Sequence, residues 1–129
     1  MAVDIKSVNG VGVISLNAPP ANAYNLAMLD GLQAVVREVR KDDKIRSVII
    51  RSALDKFFCA GADISTIQDS DASDFNHFLT VAGETMAMLE ATPKIIIAAI
   101  AGHAMGGGLE LALACDVRFA SEGKYKMGL

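Results

Sequence analysis

The sequence has no tryptophan, three prolines and only two cysteines in 129 residues. Cys59 and Cys115 show no CxxC pairing and no metal-ligand spacing, so a zinc or iron–sulfur centre is excluded and no metal is expected. Both are expected to be buried thiols in a reducing cytosol. Positive charge is scarce as well: 12 Lys and Arg stand against 15 Asp and Glu, for a net charge of −3, with no basic cluster. That balance argues against nucleic acid or an anionic membrane as partner and leaves a small molecule. No apolar run reaches the ~18–20 residues that a bilayer requires. The longest, "IIIAAIAGHAMGGG", is broken by His103 and its glycines. The opening "MAVDIKSV" has no basic segment followed by an apolar one, so no signal peptide is read there and a cytoplasmic location is expected.

Hydrophobic residues are plentiful, at 52% against 21% charged. A packed core is therefore within reach, and the length suits one domain over residues 1–129. The mean hydropathy of +0.35 is high for a soluble domain of this size. It points to a subunit interface or to core residues whose partners lie in further chain.

Periodicity supplies an α/β order. "VDIKSV" and "VGVISLN" are β-branched runs joined by Asn9-Gly10, a hairpin dipeptide. "APPANAYN" reads as a loop. Leu26, Leu29, Leu32, Val36 and Val39 fall at helical spacing. "IRSVIIRS" follows as a buried strand, and "DKFFCAGADI" as a glycine-containing loop. A second helix is expected from about Ser73, with Phe75, Phe78, Leu79, Ala82, Met86 and Leu89 on one face and Pro93 closing it. "KIIIAAIAG" and "VRFAS" are strands. Between them "LELALA" alternates like a strand, but Leu and Ala favour helix and no β-branched residue occurs from Gly106 to Asp116.

A helix starting at Gly106-Gly107-Gly108 presents N–H groups without intrahelical partners, and glycine lets a ligand approach them closely. Glu110 lies about one turn further on the same face. An exposed amide and a carboxylate bordering one space suit carbonyl chemistry, the amide holding an enolate-like oxygen while the carboxylate moves protons. Apolar surroundings would suit such a proton-transfer group. The alternatives are an ordinary exposed helix glutamate and glycines serving helix–strand packing. The segment lacks the third glycine of a dinucleotide fingerprint, the Lys-Ser/Thr of a phosphate loop and any G-x-S-x-G. His77 reads as a helix-surface residue and His103 as packing.

"FFCAGADI" (57–64) and "IAAIAGHAMGGGLELALACDVRFAS" (97–121) resemble the two signature segments of the crotonase superfamily, the enoyl-CoA hydratases and isomerases. "VGVISLNAPPANAYNLAMLDGL" is similar to that family's opening hairpin, loop and first helix. The resemblance implies a right-handed spiral of β-β-α units, here its N-terminal portion without the C-terminal helical region, and a homo-oligomer of trimeric or hexameric type. It implies an acyl-CoA thioester substrate, with coenzyme A as part of the substrate and no separate cofactor. By motif position the oxyanion-hole amides fall on Ala62 and Gly107, and Glu110 matches the first catalytic glutamate. The coenzyme A and substrate contacts fall on Ala60, Gly61, Ala62, Asp63, Ile64, Gly106 and Gly107. Asp63 and Asp116 take structural roles at loop and helix ends.

Two departures stand out. "PPANA" lacks the Lys or Arg that many relatives place near the coenzyme A phosphates. The chain ends "KYKMGL", and the Pro-Glu pair bearing the hydratases' second glutamate is expected two residues later. The resemblance thus implies an enoyl-CoA hydratase, which needs that second carboxylate, or an isomerase working with one. The third reading is a truncated, non-catalytic fragment that only folds or associates.

Overall fold

The computed structural model describes residues 2–129. Asn9 and Gly10 take positive φ (49° and 84°) between strands β1 (Val3–Val8) and β2 (Val11–Leu16), which pair antiparallel. The dipeptide is the hairpin signal read from the sequence. Helix α1 (Leu26–Lys41) starts where the Asn25 side chain accepts the Met28 N–H at 3.0 Å. Its buried stripe of Met28, Leu29, Leu32, Val36 and Val39 covers the sheet.

Strand β4 (Ser47–Ser52) returns parallel to β2. After it come helix α3 (Ala72–Ala91), strand β7 (Ile95–Ile100) parallel to β4, and strand β9 (Val117–Ala120) parallel to β7. The five-stranded sheet runs β1-β2-β4-β7-β9. Alternate residues of its inner strands, Ile14 and Leu16, Val48 and Ile50, Ile96 and Ala98, are buried against the helices. A buried hydrogen bond from Gln33 Nε2 to Thr85 Oγ1 (3.0 Å) joins α1 to α3.

Short strands make a second layer, and the sequence reading missed them. The "APPANAYN" loop contains β3 (Ala23–Tyr24). The "DKFFCAGADI" loop contains β5 (Phe57–Cys59) and β6 (Gly61–Ala62) and ends in helix α2 (Ile64–Asp69). Strand β8 (His103–Met105) precedes helix α4 (Gly107–Leu113), and β10 (Met127–Gly128) closes the described chain. β10-β8-β5 and β3-β6 form small parallel sheets. Each turn of the chain is a long strand, a short strand and a helix, the expected spiral of β-β-α units. These strands escape periodicity because two or three residues are too few to show a period.

"LELALA" is helical, as expected. The apolar face of α3 is not quite the expected one: Phe78, Val81, Thr85 and Leu89 are buried, whereas Leu79 is half exposed. His77 is exposed. His103 packs on Phe57 with ring centroids 5.1 Å apart, and its Nδ1 accepts the Lys126 N–H at 3.0 Å. Both cysteines are buried free thiols.

Candidate active site

Two backbone segments meet at unusually close range. Gly61, at φ +88°, lies against the Met105 carbonyl and the Gly107 nitrogen, so that an added Cβ would sit 2.8 and 2.9 Å from them. A Cβ on Gly108 would come within 1.9 Å of the Cys59 carbonyl oxygen. Neither position can carry a side chain without moving main chain. These glycines put the segment ending in Ala62 against the start of α4.

The N–H groups of Leu109 and Glu110 both return to the Gly106 carbonyl, at 3.0 and 3.1 Å. Those of Gly107 and Gly108 have no acceptor among the described residues. With seven residues α4 has little dipole, so these uncommitted N–H groups matter more than helix polarity. On the facing segment Asp63 N–H donates to the Tyr24 carbonyl at 2.9 Å. Alternation along the β3-β6 ladder therefore turns the Ala62 N–H away from β3.

Ala62, Gly107 and Glu110 line one cavity of about 290 Å³, with Tyr24, Phe78, Leu79, Ala82, Gly83 and Met86. The half-exposed Leu79 is one of its walls. Three larger concavities, of about 310, 450 and 490 Å³, contain none of the candidate site residues. Glu110 is exposed, which corrects the expectation of enclosing apolar surroundings: the cavity is open on its side.

The other motif residues stand outside this cavity. Asp63 caps α2, its Oδ1 accepting from Ser65 N–H (3.0 Å) and Oγ (2.7 Å). The Ser65 hydroxyl and amide hold its carboxyl below the ordinary range. Ile64 opens α2 and is 67% exposed, Ala60 is half-buried, and Gly106 takes φ +53° ahead of α4. Asp116 Oδ2 accepts the Ile96 N–H at 2.8 Å, tying the end of α4 to β7 in the structural role expected of it.

The sequence reading did not place Tyr24 or the α3 residues at the site. Tyr24 lay in a supposed loop, and the α3 positions looked like plain core. The loop is held by Asn22, which is fully buried at φ 53°. Its Nδ2 donates to Ser52 Oγ (2.8 Å) and the Phe58 carbonyl (3.0 Å), and its Oδ1 accepts from Ala18 N–H (2.7 Å). Cys59 Sγ donates to the Asn22 carbonyl at 3.2 Å. Burial pushes the Cys59 thiol up to about 11.

The enoyl-CoA hydratase/isomerase profile matches residues 6–126. The short-chain-enoyl-CoA hydratase of Clostridium acetobutylicum is 36% identical over 124 residues, which span 92% of this chain and 48% of that protein. The mitochondrial methylglutaconyl-CoA hydratase of Mus musculus is 40% identical over 121 residues, covering 93% of this chain and 38% of that one. A crystal structure of the enoyl-CoA hydratase from Geobacillus kaustophilus superposes with a TM-score of 0.96 at 35% identity, covering 99% of this chain and 48% of its own. The chain thus spans about half the length, or less, of the relatives it matches. With this match over nearly its whole length and a shared fold, the chain belongs to the enoyl-CoA hydratase/isomerase family.

Proposed function

We propose that this chain carries the thioester-polarising site of an enoyl-CoA hydratase. The observation behind the reading is that Ala62, from one turn of the spiral, and Gly107 and Glu110, from the next, border one cavity. The thioester oxygen of a trans-2-enoyl-CoA lies between the Ala62 and Gly107 N–H groups, with the conjugated carbons towards Glu110. Water oxygen bonds to C3 while one of its O–H bonds breaks and the proton passes to a carboxylate base, and the C2–C3 π pair moves through the thioester to leave an enolate oxygen on the two amides. The enolate then collapses, C2 takes a proton, and the thioester carbonyl re-forms. Glu110 takes part in these proton transfers. A single oxyanion donor is worth roughly 3–4 kcal/mol of barrier and a placed acid–base group about 10²–10⁴ in rate. The ligand needs no metal or separate cofactor in this scheme. Exposed apolar residues such as Phe119 (65%) support assembly as a homo-oligomer, which light scattering tests.

One observation favours a second reading. Glu110 is the only carboxylate among the described residues that lines the cavity. A delta-isomerase needs one carboxylate, which removes a proton at one carbon of the enolisable chain and returns it at another. Loss of conjugated-thioester absorbance from crotonyl-CoA reports hydration, and its gain from a 3-enoyl-CoA reports isomerisation. Glu110→Gln is expected to lower the active assay at least about 100-fold while leaving thioester binding nearly intact. An undiminished rate removes Glu110 from the mechanism. A folded chain that binds thioester and turns over neither substrate is the non-catalytic fragment.

A further inference from the structure

Tyr24 sits where the two walls of the cleft meet. The residue is 5% exposed, and its ring packs against Phe78, with centroids 6.1 Å apart. Its backbone pairs with Ala62 across the β3-β6 bridge. The hydroxyl projects over α4: a Cβ on Gly107 would lie only 1.7 Å from Tyr24 Oη. The phenol therefore fills the space in which a side chain at position 107 would stand.

That hydroxyl has no hydrogen-bond partner among the described residues, although every fully enclosed polar side-chain atom among them has one. Its free valence therefore opens into the cavity shared with Ala62, Gly107 and Glu110. A hydroxyl that faces a cavity in this way is free to exchange water for a ligand oxygen as its hydrogen-bond partner. Burial, followed by the nearby Cys59 and Glu110, pushes the phenol up to about 12, so it stays protonated and able to donate at neutral pH. Tyr24 is not bonded to Glu110, which leaves the donor free for a ligand.

We infer that Tyr24 is a third hydrogen-bond donor of this site, its hydroxyl donating to the ligand oxygen that the Ala62 and Gly107 amides hold. The inference rests on the thioester reading of the cleft. It adds to the two main-chain donors a side-chain donor that a single atom's removal can delete, and it assigns Gly107 a second task, making room for the phenol.

The test uses para-dimethylaminocinnamoyl-CoA, a thioester whose absorption moves to longer wavelength as its carbonyl is polarised. Saturable binding to the unmutated chain is expected to produce that red shift. Tyr24→Phe, which keeps the ring, is expected to bind about 3- to 10-fold more weakly, with a visibly smaller red shift. An equal shift and equal affinity in Tyr24→Phe overturn the inference and leave the thioester site standing. A change in the pH profile without a change in the red shift assigns the hydroxyl to Glu110 and also overturns it. No saturable shift with the unmutated chain overturns both readings. Should the variant fail to fold, 3-fluorotyrosine replacing Tyr24 and Tyr125 gives a second readout. The ¹⁹F resonance of Tyr24 is expected to move on adding the thioester while that of Tyr125 stays, and an unmoved Tyr24 resonance sinks the inference.

Discussion

The two walls of the cleft are built differently. The wall carrying Gly107 and Glu110 is anchored: Leu111 and Ala112 of α4 are fully buried, and Asp116 fastens the following turn to β7. The wall carrying Ala62 runs straight into α2, a six-residue helix with no buried residue, fixed at its start by the Asp63 cap. One amide thus stands on a packed element, and the other at the edge of an element held by local hydrogen bonds. The difference teaches that the proposed oxygen site depends on main-chain contact between the walls more than on core packing behind both.

Breaking that contact is expected to have the largest effect. Gly108→Ala drives a methyl group into the Cys59 carbonyl, and Gly61→Ala adds a strained positive φ to a clash with Met105 O. We expect each to cost roughly 2–5 kcal/mol in urea unfolding, Gly108→Ala the more, because neither neighbour is the flexible end of a side chain. Gly107→Ala is expected to cost less, about 1–3 kcal/mol, because it meets the Tyr24 side chain rather than backbone. Part of that loss should return in the Tyr24→Leu background, so a double-mutant cycle reads the coupling directly. Fully additive losses would show that the phenol does not occupy the space at 107.

Alkali sharpens the comparison from the other side of the contact. The folded state raises the Cys59 thiol from 9.0 to about 11, so it favours the protonated form. The resulting stability is complete below pH 9 and drains away as pH rises towards 11. Unfolding midpoints should fall over that window, and fall less in Cys59→Ala. The smallest effect is expected from Asp63→Ala. The Asp63 carboxyl is held below its ordinary range, so its contribution is present above that range and fades as pH falls through the lowered value. Hydrogen exchange should quicken in α2 alone and leave α4 unchanged. A global loss of protection would mean that the α2 wall is not the loosely held one.

The long elements were legible because hydrophobic period and capping agree. α1 carries both an apolar stripe and an Asn25 cap, and β2, β4 and β7 are β-branched runs. The motif residues Ala62, Gly107 and Glu110 were legible as candidates, and the structure gathers them around one hollow. β3, β6 and β8 left no periodic trace, being fixed by partners distant in the chain. Tyr24 was invisible for the same reason, since nothing local in "APPANAYN" tells that position 24 pairs with Ala62. The openness around Glu110 was hidden as well, because an apolar neighbourhood in sequence is not an enclosure in space. Asn22, α2 and the placement of α3 that makes Leu79 a cavity wall belong to the same class of tertiary facts.

The amides of Ala62 and Gly107 are contributed by different turns of the spiral, so their hollow has no existence in a chain where only one turn has docked. A ligand held by both would act as a clasp across that seam. Occupancy should slow the parting of the two turns and protect the stretches around residues 60 and 107 in step.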